Sequence, residues 1–339
     1  MEALIENYTQ KLRSFVFFLF VTTSQFLAIQ SANSSEKVTD LWSLKKILDQ
    51  VVPSVEDDSW ATNPIDLFIL DKMNNKELHP NKMADKSKLI RRVSFDLVGL
   101  APSRDEVNDF VSDDSTDAYD KLLSRLLSSP HYGERWGRHW LDVARFGESH
   151  GYESDNERPH AWTYRDAVIR ALNDDLPFDQ FVKLQVAGDI ISPKDSLAVS
   201  LTGFLSAGST VTNVDGVDRE KANYDKMDDI VSATGSAFLG LTVGCARCHN
   251  HKYDPISQED YYKMVGFFLP GREGDRELEI GKPGSKVKAM VWNGGNKKKN
   301  PLLKRGDVEQ KGDDVGIGVL TALSADNGGV KSWLSESDQ

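Results

Sequence analysis

The two cysteines of this 339-residue chain are separated by only two residues, and a histidine follows the second one directly. The run is Cys245-Ala246-Arg247-Cys248-His249. Two thiols at this spacing can form thioether bonds with the two vinyl groups on one edge of a porphyrin, and the adjacent histidine then lies under the iron. The pattern predicts covalent attachment of haem c, with Cys245 and Cys248 as anchors and His249 as an axial iron ligand.

Other kinds of site would use the same residues. In an oxidising compartment the two cysteines could form a local disulfide. Zn²⁺ could be bound by both thiolates together with a group from His249, His251 or Asp254. A thioredoxin-type redox pair is less favoured, because no strand–helix pattern precedes the first cysteine.

The sixth ligand of a haem iron is not indicated by the sequence. Met264 is the nearest methionine downstream, but it shares an amphipathic helical face with Tyr261, Val265 and Phe268, which favours core packing. His251 is too close in sequence to His249 to reach the opposite face of the ring. An open position would permit ligand or peroxide chemistry. The remaining alternatives are distant histidines, namely His139, His150 and His160.

A second group of titratable residues is concentrated in one predicted loop between two helices. It comprises Arg145, Glu148, His150, Glu153, Asp155, Arg158 and His160. Such a loop could line a cleft with an acid–base pair, for which His150, Glu153 and His160 are the candidate catalytic residues. The alternative is a solvated connection in which these charges form salt bridges.

The segments that would position these residues have helical periodicity. Asn63-Pro64 is typical of a helix start, and apolar residues recur at three- and four-residue spacing through most of the following segments. The sequence predicts helices beginning near Asn63 and over 87–98, 104–111, 116–127, 136–144, 161–173, 178–187, 225–243 and 259–269. No alternating strand pattern appears before Pro270. The predicted fold class is therefore mainly α, a multi-helix domain with an irregular, partly β C-terminal tail.

The N-terminus is typical of an export signal. Lys11 and Arg13 precede the apolar run 15–21, and the small residues Ala32-Asn33-Ser34 follow. We predict a signal peptide over 1–34 and a periplasmic, secreted or cell-surface location. The alternatives are an uncleaved membrane anchor and a buried helix.

The composition predicts the order of domains along the chain. A polar linker at 35–60 precedes a helical domain at 61–270. The tail, 271–339, is rich in Gly, Lys and Asp, with short strand patterns at 287–292 and 315–320. Because this tail is too polar to build its own core, we expect it to be the beginning of a domain and not a complete one.

The net charge of −11 argues against a nucleic-acid partner, because such a partner requires a basic surface. The run Lys297-Lys298-Lys299 is typical of a solvated loop. Contact with a membrane is expected only through the signal or an uncleaved anchor.

The chain resembles the domain of unknown function found in large secreted planctomycete-type cytochrome c proteins. The resemblance extends from about Asn63 to Pro270 and is most specific at 240–249 and 251–256. Its other motifs are Leu89-Ile90-Arg91-Arg92, Phe95-Asp96-Leu97, Gly99-Leu100, 130–136, His139-Trp140-Leu141-Asp142, 161–166 and 176–181. Asn250 stands where an acidic residue is common in that family.

The resemblance implies a secreted, haem-bearing helical domain that is normally one part of a longer protein. Members of the family often carry a companion domain after the helical one, and Leu303-Lys304-Arg305-Gly306-Asp307 resembles its opening. The resemblance therefore implies that the tail, 271–339, is the start of a truncated companion domain. Three functions stay open at this point: an electron-transfer module with an unknown redox partner, an extracellular enzyme acting for example on a polysaccharide with the haem as redox partner, and a zinc- or disulfide-stabilised binding module.

Overall fold

The structure is a computed structural model of the chain, and it describes residues 43, 48–152, 155–212, 214, 218–282, 284–296 and 298–324. The chain divides into two compact units, Met1–Gln50 and Val51–Gln339. The predicted signal peptide, 1–34, lies outside the described residues. Within the described part of the chain, no helix is both long enough and apolar enough to cross a membrane.

Helices make up most of the second unit before residue 270, so the prediction of a mainly α fold is confirmed. In chain order the α-helices are α1 Pro64–Asn74, α2 Lys86–Leu97, α3 Arg104–Ser112, α4 Ala118–Leu127, α5 Pro130–Val143, α6 Trp162–Asn173, α7 Phe178–Ile191, α8 Ser196–Leu201, α9 Gly203–Ser206, α10 Asp218–Thr234, α11 Gln258–Phe268 and α12 Thr321–Ser324. The short helices α8 and α9 were not predicted.

Local capping explains where several helices begin. The Asn63 side chain accepts hydrogen bonds from the backbone N–H groups of Ile65 and Asp66, and Pro64 occupies the first helical position of α1. At α11 a capping box joins Ser257 and Asp260. Both helices therefore begin at capping residues that lie next to them in the sequence.

The predicted helix over 225–243 differs from the observed one at both ends. Helix α10 begins at Asp218, and a π-helical turn, Gly235–Leu239, continues it to Gly240. Gly240 has φ of +64°, a conformation that ends the helix and that side chains other than glycine rarely adopt. Val243 therefore belongs to the next element and not to the helix.

The helices bury two main hydrophobic clusters. The smaller one lies among α2, α3 and α4, with Ile90, Phe110 and Leu122 as members. The larger one collects apolar side chains from α6 to α11 and from the tail. Tyr164 and Val265 in this cluster are completely buried.

The tail forms two antiparallel hairpins. Strand β1 (Arg272–Glu279) pairs with β2 (Lys286–Asn293), and β3 (Pro301–Leu303) pairs with β4 (Lys311–Asp314). The strand predicted at 287–292 is confirmed. The one predicted at 315–320 is wrong, because Gly316 has φ of +68° and Gly318 bonds to the carbonyl of Lys263 in α11.

The described part of the tail shares the core of the helices. Met290, Trp292, Leu303 and Leu320 are all buried in the larger hydrophobic cluster. This sharing compensates for the polar composition of the tail, which has too few apolar residues to build a core alone. The predicted domain boundaries and the companion domain stay predictions.

Candidate functional site

Cys245 lies on a short 3₁₀ helix, Val243–Arg247, and Cys248 is the residue that caps its C-terminus. We call this segment, Val243–Cys248, the cysteine turn. Val243 and Ala246 point inward and are completely buried, whereas Cys245 and Cys248 are exposed. A 3₁₀ helix has about three residues per turn, so side chains three positions apart lie on the same face. Both thiols are therefore presented on the outward face, and both are free.

Arg247 attaches the cysteine turn to helix α10. Its guanidinium lies 2.5 Å from Asp225 Oδ1 and 3.5 Å from Asp228 Oδ2. Burial acts to lower the pKa of Arg247, but the hydrogen bond to Asp225 and the charge of Asp228 outweigh it and raise the pKa. The hydroxyl of Tyr261 donates a hydrogen bond to Asp228 Oδ1 at 2.6 Å, which extends the link to α11.

Gln258, the first residue of α11, connects the cysteine turn to the tail. Its Nε2 donates to the carbonyl of Arg247 at 2.8 Å and to that of Leu303 at 3.0 Å. Its backbone N–H donates to Asn250 Oδ1 at 2.9 Å. A second bond to the Arg247 carbonyl comes from the Tyr262 hydroxyl at 3.1 Å. The end of the cysteine turn is thus held from two sides.

The tail also contacts Cys248 directly. The turn Lys304–Gly306, which we call the tail turn, follows β3. A β-carbon added at Gly306 would lie 3.0 Å from Cys248 Sγ and 3.5 Å from Arg247 Cγ. The segment that the resemblance assigns to a companion domain is therefore packed against the cysteine turn.

His249 is exposed and directly follows the cysteine turn. Its Nδ1 lies 2.8 Å from the carbonyl oxygen of Asn250. A carbonyl can only accept, so Nδ1 carries the proton and Nε2 of the neutral ring is left with a free lone pair. Metal-ligating histidines commonly have their other ring nitrogen bonded in this way.

The neighbouring His251 has a different role. Its side chain is 6% exposed, and Nδ1 accepts hydrogen bonds from the backbone N–H groups of Tyr253 and Asp254. These bonds close the loop that leads from His249 to α11. His251 therefore organises backbone, and its Nδ1 is already occupied.

The other iron-ligand candidates are scattered over the molecule. Met264 is buried in the larger hydrophobic cluster, and His139 is exposed on α5 with its ring edge-on to Trp136. His150 and His160 lie in a separate cleft, described below. Among the described residues, no group of three or more His, Cys, Asp or Glu side chains is arranged to hold a metal ion.

The loop between α5 and α6 lines that separate cleft, which we call the His150 cleft. Its volume is about 370 Å³. The lining residues come from the loop, from the segment before α10 and from β1 and β2: His150, Glu157, Arg158, Pro159, His160, Ala161, Thr210, Glu273, Gly274, Asp275 and Met290. The structure thus brings His150 and His160 together, as the acid–base interpretation expects, while Glu153 lies outside the described residues.

A buried charge cluster forms the floor of the His150 cleft. The Arg158 guanidinium donates to both carboxylate oxygens of Glu273 at 2.8 Å. It also donates to the carbonyls of Ser206 and Ala207. Thr210 Oγ1 donates to Glu273 at 3.0 Å. Because Arg158 is only 5% exposed, this pairing is needed to offset the cost of burying its charge.

Lys226 of α10 adds a second cation to the charge cluster, although it does not itself line the cleft. Its ammonium donates to Thr210 Oγ1 at 2.9 Å and lies 3.6 Å from Glu273 Oε2. Burial lowers the pKa of Lys226 to about 8, against the opposing charges of Glu273 and Asp229. Burial, together with the charge of Arg158, likewise lowers the pKa of His150, which favours the neutral imidazole.

Sequence reasoning missed the residues that complete the cleft from other elements. Glu273 and Asp275 line the cleft but lie far from the loop in sequence, in a strand that was predicted only as irregular tail. Lys226, equally distant, contacts Glu273 from outside the lining. The one usable signal was the apolar run 287–292, because a strand there requires a partner. The alternative interpretation, a solvated connection with salt bridges, describes part of the loop. There Glu148 forms an exposed salt bridge with Arg165 of α6.

Comparison with known proteins gives one family. The model of PSCyt2, described as a protein of unknown function (DUF1549), matches residues 64–273, which include helices α1 to α11, the cysteine turn and the start of β1. No curated protein and no solved structure matches the chain. With more than half of its length matched, the chain belongs to the PSCyt2 family, a planctomycete cytochrome-related domain of unknown function.

Proposed function

We propose that this protein is an exported redox module that carries one covalent haem c at the cysteine turn and transfers electrons to or from a separate redox partner. Cys245 and Cys248 would form the thioether bonds, and His249 Nε2 would be the proximal ligand. The observation that carries the proposal is the presentation of both free thiols on one face of a turn whose other face is buried.

The residues of the site suit this group in three respects. The thiols are unpaired and accessible, as thioether formation requires. The bond from His249 Nδ1 to the Asn250 carbonyl leaves Nε2 for a metal. The bonds of Arg247 and Gln258 fix the cysteine turn to two helices, so attachment would not depend on ordering a mobile loop. When bound, haem would supply a one-electron couple at its iron.

The test is production of the full chain in a bacterial host with c-type maturation machinery. We expect a pyridine haemochrome spectrum and an intact mass raised by one haem. The Cys245→Ser/Cys248→Ser double variant should lose covalent haem, and His249→Ala should lose the native Soret spectrum. His79→Ala, which changes an exposed histidine outside the cysteine turn, is the matched control and should behave as wild type.

Two outcomes would contradict the proposal. One is a wild-type protein that emerges from maturation without added mass. The other is haem that survives denaturation in the double cysteine variant. Binding of one Zn²⁺ with loss of two reactive thiols would instead favour the structural metal site.

The export part of the proposal is supported by the basic, apolar and small segments of the N-terminus. We expect the exported form to begin near Ser34 or Ser35. The mass of the protein recovered from the periplasm checks this expectation, and an intact N-terminus in the membrane fraction would favour the anchor.

A further inference from the structure

The His150 cleft is separate in its chemistry from the cysteine turn, and no part of the haem proposal uses it. Its walls are a loop, the segment before α10 and the hairpin β1–β2. Its volume of about 370 Å³ lies in the lower part of the range of roughly 300–1,000 Å³ for small-molecule sites. The size therefore suits a small molecule and not a segment of another protein.

His150 is held in place by its backbone while its ring is left unpaired. The His150 N–H donates to the Asn156 carbonyl at 2.9 Å, and its carbonyl accepts from the Thr210 N–H at 3.0 Å. The ring nitrogen Nδ1 is buried and has no hydrogen-bond partner among the described residues. A buried, unpaired nitrogen costs free energy that a ligand with a matching group would restore.

The cation of the cleft floor is already committed. The terminal nitrogens of Arg158 already donate hydrogen bonds to Glu273 and to the carbonyls of Ser206 and Ala207. An anionic ligand would thus find no free cation on the walls and would meet the carboxylates of Glu157 and Asp275 there. A net negative ligand is disfavoured on charge.

A cationic ligand is disfavoured near His150. Burial and the positive charges of Arg158 and Lys226 lower the pKa of the unpaired His150 ring. Only the carboxylate of Glu273 raises this pKa, while Asp229 is paired with Arg145. A ligand cation that reached His150 would enter a positive field. An apolar ligand would leave the carboxylates and the imidazole without partners.

The polar groups of the cleft that remain available to a ligand are carboxylates and imidazoles. Asp275 lies 3.6 Å from His160 Nε2 and is half exposed, and Glu157 is exposed with no ion pair among the described residues. Carboxylates accept hydrogen bonds, and neutral imidazoles both donate and accept. Hydroxyl groups are uncharged and can both donate and accept hydrogen bonds. A molecule with several hydroxyl groups can therefore pair with the carboxylates and with the imidazoles of the cleft.

We propose that the His150 cleft binds a small uncharged ligand with several hydroxyl groups, of mono- or disaccharide type, through His150 and Asp275. His150 contributes the unpaired Nδ1, and the half-exposed Asp275 contributes an acceptor. The inference stands independently of the haem.

The test is ligand-observed saturation-transfer NMR on the full chain, followed by titration. The probes are cellobiose, xylobiose and lactose as neutral sugars, galacturonate as an anion and glucosamine as a cation, all at millimolar concentration. We expect saturation transfer to at least one neutral sugar. His150→Ala and Asp275→Asn should weaken that binding about tenfold or more, and His79→Ala should leave it unchanged.

The variants are compared at equal helical content and melting temperature, so that misfolding is not scored as lost binding. Asp275→Asn alters an exposed side chain and keeps its shape, which protects the test if His150→Ala unfolds. The proposal is overturned if none of the neutral sugars shows transfer, if only a charged probe does, or if His150→Ala and Asp275→Asn bind as wild type.

Discussion

Gly306 in the tail lies against Cys248 in the cysteine turn: a β-carbon at Gly306 would be 3.0 Å from the Cys248 Sγ. Gly306 also has φ of +75°, where side chains other than glycine are strained. Two separate properties, backbone conformation and close approach, therefore favour glycine at this position. The contact makes the tail turn part of the environment of the proposed haem anchor.

The substitution Gly306→Ala should destabilise the protein and disturb Cys248. The positive φ alone should cost about 1–2 kcal/mol. The added β-carbon must in addition displace the tail turn, so we expect faster alkylation of Cys248 by iodoacetamide in a Cys245→Ser background. Gly281→Ala is the matched control, because Gly281 has φ of +83° and no atoms near its β-position. Equal alkylation rates in the two variants would contradict the assigned contact.

Removing the Gln258 side chain should loosen the cysteine turn. Gln258→Ala deletes the bonds to the Arg247 and Leu303 carbonyls, and we expect a loss of about 1–3 kcal/mol in the free energy of unfolding. Urea denaturation measures it. Gln180→Ala, which removes an exposed amide that donates to the neighbouring Asp179, should cost no more than about 0.5 kcal/mol. A cost for Gln258→Ala as small as that of the control would show that the link is not stabilising.

The buried Arg158–Glu273 pair should be costly to break from one side. Arg158→Met leaves the Glu273 carboxylate without its main partner, and we expect destabilisation of about 3–5 kcal/mol by urea denaturation. Adding Glu273→Gln should restore part of that loss, because the unpaired charge is removed. Arg165→Met breaks an exposed pair with Glu148 and should cost about 1 kcal/mol or less. A double variant less stable than Arg158→Met alone would refute this account.

The stability of the protein should depend on pH through Lys226. Because burial lowers its pKa to about 8 from the ordinary 10.5, the unfolded chain binds the lysine proton more strongly between these values. The contribution of Lys226 to the free energy of unfolding should therefore rise as pH increases from about 8 to 10.5. We expect the difference between wild type and Lys226→Met to rise over this interval, since tyrosine titrations are common to both proteins and cancel. A difference that stays constant or falls would contradict the buried state of this amine.

Much of the helical architecture could be predicted because its signals are local. Asn63-Pro64 starts α1, and the apolar spacing of α4 and α6 gives their bounds to within two residues. The end of α10 was predicted less well, since the apolar run continues through the π-helical turn and the conformation of Gly240 decides where it stops. Strand β1 has no apolar alternation and exists because β2 pairs with it.

The haem motif and the loop around His150 were found from residue types and spacing, which act within a few positions of the chain. The chemistry of two thiols and a histidine is carried by five consecutive residues, so the sequence by itself determined that prediction. The partners of these groups were decided by the tertiary structure. Gln258 reaches Leu303, and Arg158 reaches Glu273, which is 115 residues away. Such pairs form only when the core brings distant elements together, and the polar tail carries no local signal of the residues that it will meet.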